Sequence, residues 1–282
     1  MDSTENIFGR VFERLEKGVL NEKNGDYEKD GLIYCGLCHS PKQQFKDIGG
    51  TLRKIPKNCI CREKELEKER QQWKELEHQS ILSDLRKQAF EDKLLQDQTF
   101  EAEDGSLEHR NIGENYVRKF EEMEKENIGL LLTGPVGTGK TYLASSIANA
   151  LIEKEISVKM TNFAVILNDM MNLEINKNKY IENLNKYRLL IIDDFGMERD
   201  TPFATEHIFN VIDSRYRANK PIILTTNLSA KQLTSPNNLK EQRIYSRLLE
   251  MATPILFTGE NRRISKMKEK AQKVNTILME SR

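Results

Sequence analysis

The segment IGLLLTGPVGTGKTYLASSIANAL, residues 128–151, constrains the fold more than any other part of the chain. An apolar strand runs into a glycine loop ending in Lys140 and Thr141, and a helix follows. The pattern is G-x-x-x-x-G-K-[ST], met here between the strand and the helix that give it meaning. Leu130, Leu131 and Leu132 suit the centre of a parallel sheet, which is buried on both faces. Gly134, Gly137 and Gly139 let backbone N–H groups turn inward onto phosphate oxygens, and the helix adds the positive end of its dipole. Lys140 is expected to reach the β- and γ-phosphates, and the Thr141 hydroxyl to ligate Mg²⁺. The expected nucleotide site comprises the loop Gly134, Pro135, Val136, Gly137, Thr138 and Gly139, with Lys140, Thr141 and Tyr142 opening the helix. A glycine-rich turn without a ligand would leave Lys140 unexplained.

The rest of the chain falls into three zones. Residues 1–61 are mixed and loop-rich and hold all four cysteines. They begin with an amphipathic stripe of Ile7, Phe8, Val11, Phe12 and Leu15, suited to packing on the chain's own core or to docking a partner. Residues 62–98 are highly charged and helical in propensity, with an apolar stripe too irregular for a coiled coil. A solvated connecting helix is expected there, with a dimerising helix as the alternative. Residues 99–282 alternate strands with helices, the pattern of a parallel sheet covered on both faces. Strands are expected at 129–133, 157–160, 189–192, 222–226 and 254–257. Helices are expected at 115–125, 140–154, 162–173, 179–185, 205–218, 239–251 and 264–279.

A second chemical motif is LLIIDDFG, residues 189–196. Its apolar run delivers two carboxylates to the carboxyl end of a strand, the edge at which open α/β sheets bind ligands. Asp193 is placed to hold Mg²⁺ and Asp194 to orient an attacking water, unless one of them caps the next helix. Asn227 ends the strand ILTTN, where its amide can bond both phosphate and water or simply make a turn. Arg243 and Arg247 lie one helical turn apart, and Arg262 and Arg263 follow the last strand. Arginine suits transition-state phosphate charge, although each of these residues is equally at home on a solvated surface.

The set GPVGTGKTYLA, LLIIDDFG, IFNVIDSRY, PIILTTNLS, RIYSRLLE and GENRR, in this order, resembles the AAA+ ATPases of the DnaC/DnaI helicase-loader and IstB group. The resemblance runs from about Thr99 to Arg263. It implies an α/β AAA+ P-loop NTPase, a three-layer sandwich around a parallel sheet with a compact lid, binding ATP or ADP with Mg²⁺. Lys140 and Thr141 then belong to Walker A, Asp193 and Asp194 to Walker B, and Asn227 to sensor 1. Arg247 matches the arginine finger and Arg263 the sensor 2 arginine. Arg215 falls at a motif position without an assigned role. Asp194 stands where most AAA+ proteins carry glutamate, and its shorter reach fits slow, switch-like hydrolysis.

Cys35-x-x-Cys38 and Cys59-x-Cys61 account for every cysteine. The spacing suits a four-thiolate structural zinc site, with free buried thiols and an iron–sulfur cluster as alternatives. Gly36 is expected to allow the knuckle turn. If residues 59–61 are extended, Cys59 and Cys61 point the same way. Four thiolates complete a tetrahedron, so His39 is not needed and the metal is expected to be structural. A cysteine-bearing amino-terminal domain also resembles the DnaI-type loaders.

With 31% charged residues and a formal net charge of +0, the chain is not a globally basic nucleic-acid binder. The start lacks the apolar core of a signal peptide, no apolar run is long enough to span a bilayer, and a cytoplasmic location without membrane partners is expected. The resemblance implies a loader that sets the hexameric replicative DNA helicase on single-stranded DNA and self-associates through its AAA+ module. Lys266, Lys268, Lys270 and Lys273 could touch DNA phosphates or form a solvated face. The alternatives are an IstB-like transposition helper that recruits a transposase to DNA, and a scaffold that binds ATP without turning it over.

Overall fold

The computed structural model describes residues 25–101, 106–172, 176–198, 201–236 and 238–279. The expected amphipathic stripe at 7–15 lies outside them. The chain divides into two compact units, Met1–Gln79 and Ser80–Arg282.

The first unit is more regular than its composition suggests. Strands β1 (Tyr27–Lys29) and β2 (Leu32–Tyr34) form one antiparallel hairpin, and β3 (Gln43–Ile48) and β4 (Thr51–Pro56) another. Each closes through two residues of positive φ, Asp30-Gly31 and Gly49-Gly50. Asp-Gly and Gly-Gly are the pairs that a two-residue type I′ turn demands, because its twist matches that of the flanking strands. Helix α1 (Ile60–Ala89) follows. Its buried side chains in this unit are absent, and Trp73 and Leu76 are exposed.

The helix expected to run to residue 98 ends at Ala89 and is followed by a short 3₁₀ turn, Lys93–Leu95, capped by Asp92. Its last third is solvated on one side only. Leu82, Ala89 and Phe90 are buried in the core of the second unit.

That unit holds β5 (Gly129–Thr133), β6 (Val158–Asn162), β7 (Leu189–Phe195), β8 (Ile222–Thr226) and β9 (Ala252–Leu256). Among the described residues they form one parallel sheet in the order β6-β7-β8-β5-β9. Side chains alternate across each strand, which divides the core into two layers. Leu130, Leu132, Leu189 and Ile191 face α2 (Leu107–Arg118), α3 (Phe120–Lys125) and α4 (Lys140–Ile152). Leu131, Leu190, Ile192 and Leu224 face α5 (Phe163–Met171), α6 (Lys177–Leu184), α7 (Pro202–Arg217) and α9 (Leu239–Met251). This is the expected three-layer sandwich. The helix expected at 115–125 is two helices, α2 and α3, and α8 (Ala230–Thr234) was not foreseen although Ser229 and Gln232 make a capping box. Helix α10 (Arg262–Met279) closes the described chain.

Arg215 acquires a clear place. It is fully buried, and its guanidinium donates to the carbonyls of Tyr187 (2.9 Å), Arg188 (2.9 Å) and Pro221 (2.8 Å). These carbonyls lie where the chain enters β7 and β8, at the sheet edge opposite the ligand-binding one. Burial pulls its pKa down to about 10, so it remains charged at neutral pH. Arg215 is therefore a clamp on the strand entries rather than a nucleotide contact. Arg215→Ala should destabilise the second unit by about 3–5 kcal/mol, since each orphaned carbonyl costs about 1–3 kcal/mol. Urea unfolding would measure this, and a loss below about 1 kcal/mol would contradict the clamp. Lysine, a single point donor, should restore only part of it.

Candidate nucleotide site and metal centre

Strands β5 and β7 end at the same sheet edge, with β8 between them. A cavity of about 650 Å³ opens there. The loop after β5 is shaped by two glycines that nothing else can replace. Gly134 has φ of 143°, and a Cβ on it would meet the Phe257 carbonyl oxygen at 2.1 Å. Gly137 has φ of 80°, and a Cβ there would meet Asn261 Oδ1 at 1.9 Å. The loop is thus pinned between the end of β9 and the start of α10, where Arg262 N–H donates to the Gly137 carbonyl at 3.0 Å.

Lys140 is buried, and its ammonium donates to the carbonyls of Gly134 and Pro135 at 2.7 Å each and to Asn227 Oδ1 at 2.9 Å. Thr141 Oγ1 donates to Asp193 Oδ1 at 2.9 Å. Adjacent oxygens around a six-coordinate Mg²⁺, bonded at about 2.1 Å, stand about 3 Å apart, so this pair fits one edge of such a site. Burial lowers the Lys140 pKa and raises that of Asp193. Desolvation leads both shifts, opposed at Lys140 by the nearby Asp194 and Asp193 carboxylates.

The two carboxylates reach one cavity through a device the sequence did not reveal. On a regular strand Asp193 and Asp194 would point to opposite faces. The β7–β8 register breaks between Ile192 and Phe195, and Asp194 takes φ of 54°. The bulge turns the exposed Asp194 toward the cavity. Buried Thr225 ties the arrangement together, donating to Asp193 Oδ1 at 2.6 Å and accepting from Asp194 N–H at 2.9 Å.

In the first unit the Sγ atoms of Cys35, Cys38, Cys59 and Cys61 all lie within 4.8 Å of one another. A zinc ion with bonds of about 2.3 Å places its sulfurs about 3.8 Å apart, so the quartet fits a tetrahedron. The details differ from expectation. The left-handed residue of the knuckle is His39, with φ of 56°, not Gly36. Cys59 and Cys61 are not extended: Cys59 precedes α1 and Cys61 lies in its first turn. The helix start still serves, because its N–H groups and positive dipole end favour thiolates. Hydrogen bonds from Ser40 pull the Cys38 thiol down to about 5, and the hydrogen bond with Cys38 pushes Cys61 up to about 12. Such crowded sulfurs ionise together only around a cation.

A family model described as IstB-like ATP binding protein matches residues 60–270. The chain belongs to this family. Among curated relatives, the replicative helicase loader DnaI of Bacillus subtilis is 28% identical over 53% of this chain and 51% of its own length. An insertion-sequence ATP-binding protein of Mycobacterium tuberculosis is 28% identical over 48% of this chain and 55% of its own. The replicative helicase loader DnaC of Escherichia coli is 25% identical over 51% and 58%. The chain thus spans about half the length of the curated relatives it matches. A crystal structure of DnaI aligns with a TM-score of 0.53 at 24% identity, over 63% of this chain and 98% of that one. A DnaC helicase loader structure aligns at 0.51 and 23%, over 59% and 100%. These likenesses show the AAA+ fold.

In this IstB-like chain most of the expected site residues converge. Val136, Gly137, Gly139, Lys140, Thr141 and Tyr142 line the cavity together with Asp193, Asp194, Asn227 and Arg263. Gly134 and Pro135 hold Lys140, and Thr138 Oγ1 donates to the Pro135 carbonyl at 2.9 Å. Arg262 lines the cavity beside Arg263. Arg247 does not; it lines another hollow, of about 500 Å³, with Arg243. Asp92, Leu94, Leu95 and Gln98 also line the cavity and were missed because they fall in the supposed linker, and Asn162 and Met197 line it as well. Asn149 on α4 fixes the linker part, donating to the carbonyls of Leu95 (2.8 Å) and Gln98 (2.9 Å). No helix among the described residues is long and apolar enough to cross a membrane.

Proposed function

We propose that this chain is an ATPase that loads the hexameric replicative DNA helicase onto single-stranded DNA, cycling between assembled and released states in the cytoplasm. The observation that carries the ATPase is the convergence of Lys140, Thr141, Asp193, Asp194 and Asn227 on one cavity. Incoming phosphates exchange with the carbonyls that now hold Lys140. Thr141 and Asp193 would hold a magnesium ion, which would offset phosphate charge. Asp194 orients the attacking water, Asn227 bonds the γ-phosphate, and Arg263 closes over the phosphates from α10. Arg247, away from its own chain's cavity, is supplied to the nucleotide of a second copy, so turnover depends on assembly.

The four-cysteine unit tilts the choice toward a loader. It lies almost wholly ahead of the matched residues 60–270 and gives the chain a separate zinc-held module for gripping a partner. The family match and the insertion-sequence relative favour the second reading, a transposition helper bound to duplex DNA. Tagged chain recovered from its host should bring down a hexameric helicase; recovery of a transposase instead would establish the helper.

Shared active sites have a direct test. Arg247→Ala should leave nucleotide binding intact and cost about 10³-fold or more in turnover. Mixing it with inactive Asp194→Ala subunits should restore part of the activity, since one variant keeps the pocket and the other the arginine. Absence of complementation would mean that each chain hydrolyses alone.

A further inference from the structure

Arg247 projects from α9 into the hollow lined by Phe209, Tyr216, Gln242, Arg243, Ser246 and Glu250. It does not hang free there. Its guanidinium carbon sits 4.7 Å from the centre of the Phe209 ring and 5.9 Å from that of Tyr216. Its Nη2 pairs with Asp213 Oδ1 at 2.9 Å. Phe209, Asp213 and Tyr216 all come from α7. Asp213 is itself anchored: its side chain is mostly buried, and its other oxygen pairs with Arg217 at 2.9 Å. Tyr216 is fixed by donating its hydroxyl to Glu250 at 2.8 Å.

We propose that α7 forms a cradle in which Asp213 is a positioning residue, holding the Arg247 guanidinium over the Phe209 ring so that its remaining N–H groups meet the terminal phosphate of a nucleotide bound by a second copy. This deepens the function proposed above and rests on Arg247 acting between chains. A free arginine loses rotamer entropy when it is fixed. The ring face and carboxylate fix this one before the phosphate arrives. The carboxylate does not cancel the site. The charged side chains lining the hollow, Arg243, Arg247 and Glu250, sum to one positive charge, and Asp213 is also paired with Arg217. The ring is also the surface best suited to a planar cation that must keep its edge open.

The test compares Asp213→Asn with Arg247→Ala in the full-length chain, measuring nucleotide affinity and assembly-dependent ATP turnover. Asp213→Asn should keep the parent's nucleotide affinity and KM and lower kcat by about 10–100-fold, as expected for a misplaced group. Asp213→Glu should recover part of that loss. A purely structural role would not produce the next result. Millimolar guanidinium should partly restore turnover to Arg247→Ala by filling the empty cradle, and should fail in the Arg247→Ala, Asp213→Asn double variant. If Asp213→Asn fails to fold, Phe209→Leu replaces it, with the same expected loss of kcat at unchanged affinity. Turnover within twofold of the parent in Asp213→Asn, with Arg247→Ala inactive, would overturn the cradle and leave the intermolecular arginine standing. Full turnover in Arg247→Ala would remove both.

Discussion

Lys140→Ala should lose ATP turnover by at least about 10²–10³-fold, the scale set by removing one preorganised donor from a phosphate site. The expectation follows from where the ammonium sits. It is buried, depressed in pKa by that burial, and held by two loop carbonyls and Asn227 Oδ1. A lysine placed only for stability would have no reason to sit beneath an open cavity in a desolvated position. Because its burial is costly in the free chain, the variant without nucleotide should melt within ~4 °C of the parent, about 1 kcal/mol. Added ATP and magnesium should then separate the two. The parent should gain about 2.7 kcal/mol at a hundredfold excess over Kd, and the variant nothing. Equal stabilisation of both proteins by ATP would show that the nucleotide binds elsewhere.

Removing metal from the first unit should unfold it while the second unit continues to melt as before. Among the described residues up to Gln79, the buried apolar residues are Ile33, Cys35 and Cys59, beside buried Gln43 and the Asp26 carboxylate, which pairs with Lys42. Two hairpins and two-thirds of a helix cannot be held by so small an apolar core. The ligand quartet is therefore most of what holds them. Zinc bound by thiolates contributes on the order of 10 kcal/mol, more than such a unit could otherwise reach. About one zinc per chain should be found in purified protein. Chelation, or Cys59→Ser, should collapse the amide chemical-shift dispersion of residues 27–56 and expose them to protease. A metal-free preparation in which both hairpins persist would remove the zinc assignment.

How much could be read beforehand differs sharply between parts of the molecule. The strand, loop and helix at 128–151 were legible because all the information is contiguous: three glycines, one lysine and one hydroxyl fix a local backbone path around phosphate. The cysteine spacing was legible for the same reason, yet the backbone under it was not. Asp30-Gly31 and Gly49-Gly50 carried a hairpin signal that the polar composition of residues 1–61 masked. The linker was misjudged because its charged residues dominate its composition, while Leu82, Ala89 and Phe90 find their partners only in a core assembled from later sequence.

The sequence by itself determined the parallel α/β class, the phosphate loop, the paired carboxylates and the four-cysteine pattern, since each rests on short-range spacing or on strand and helix periodicity. Only the tertiary structure decided what depends on segments distant in the chain. It buried Arg215 against three carbonyls at the strand entries. It brought Asp92 to Gln98 to the nucleotide cavity through Asn149. It turned Asp194 with a bulge braced by Thr225, and it laid Arg247 on a helix thirty residues upstream in the chain. The physical reason is common to all four: a hydrogen bond, ion pair or ring contact is set by distance in space, which residue spacing does not encode once the chain has folded back on itself.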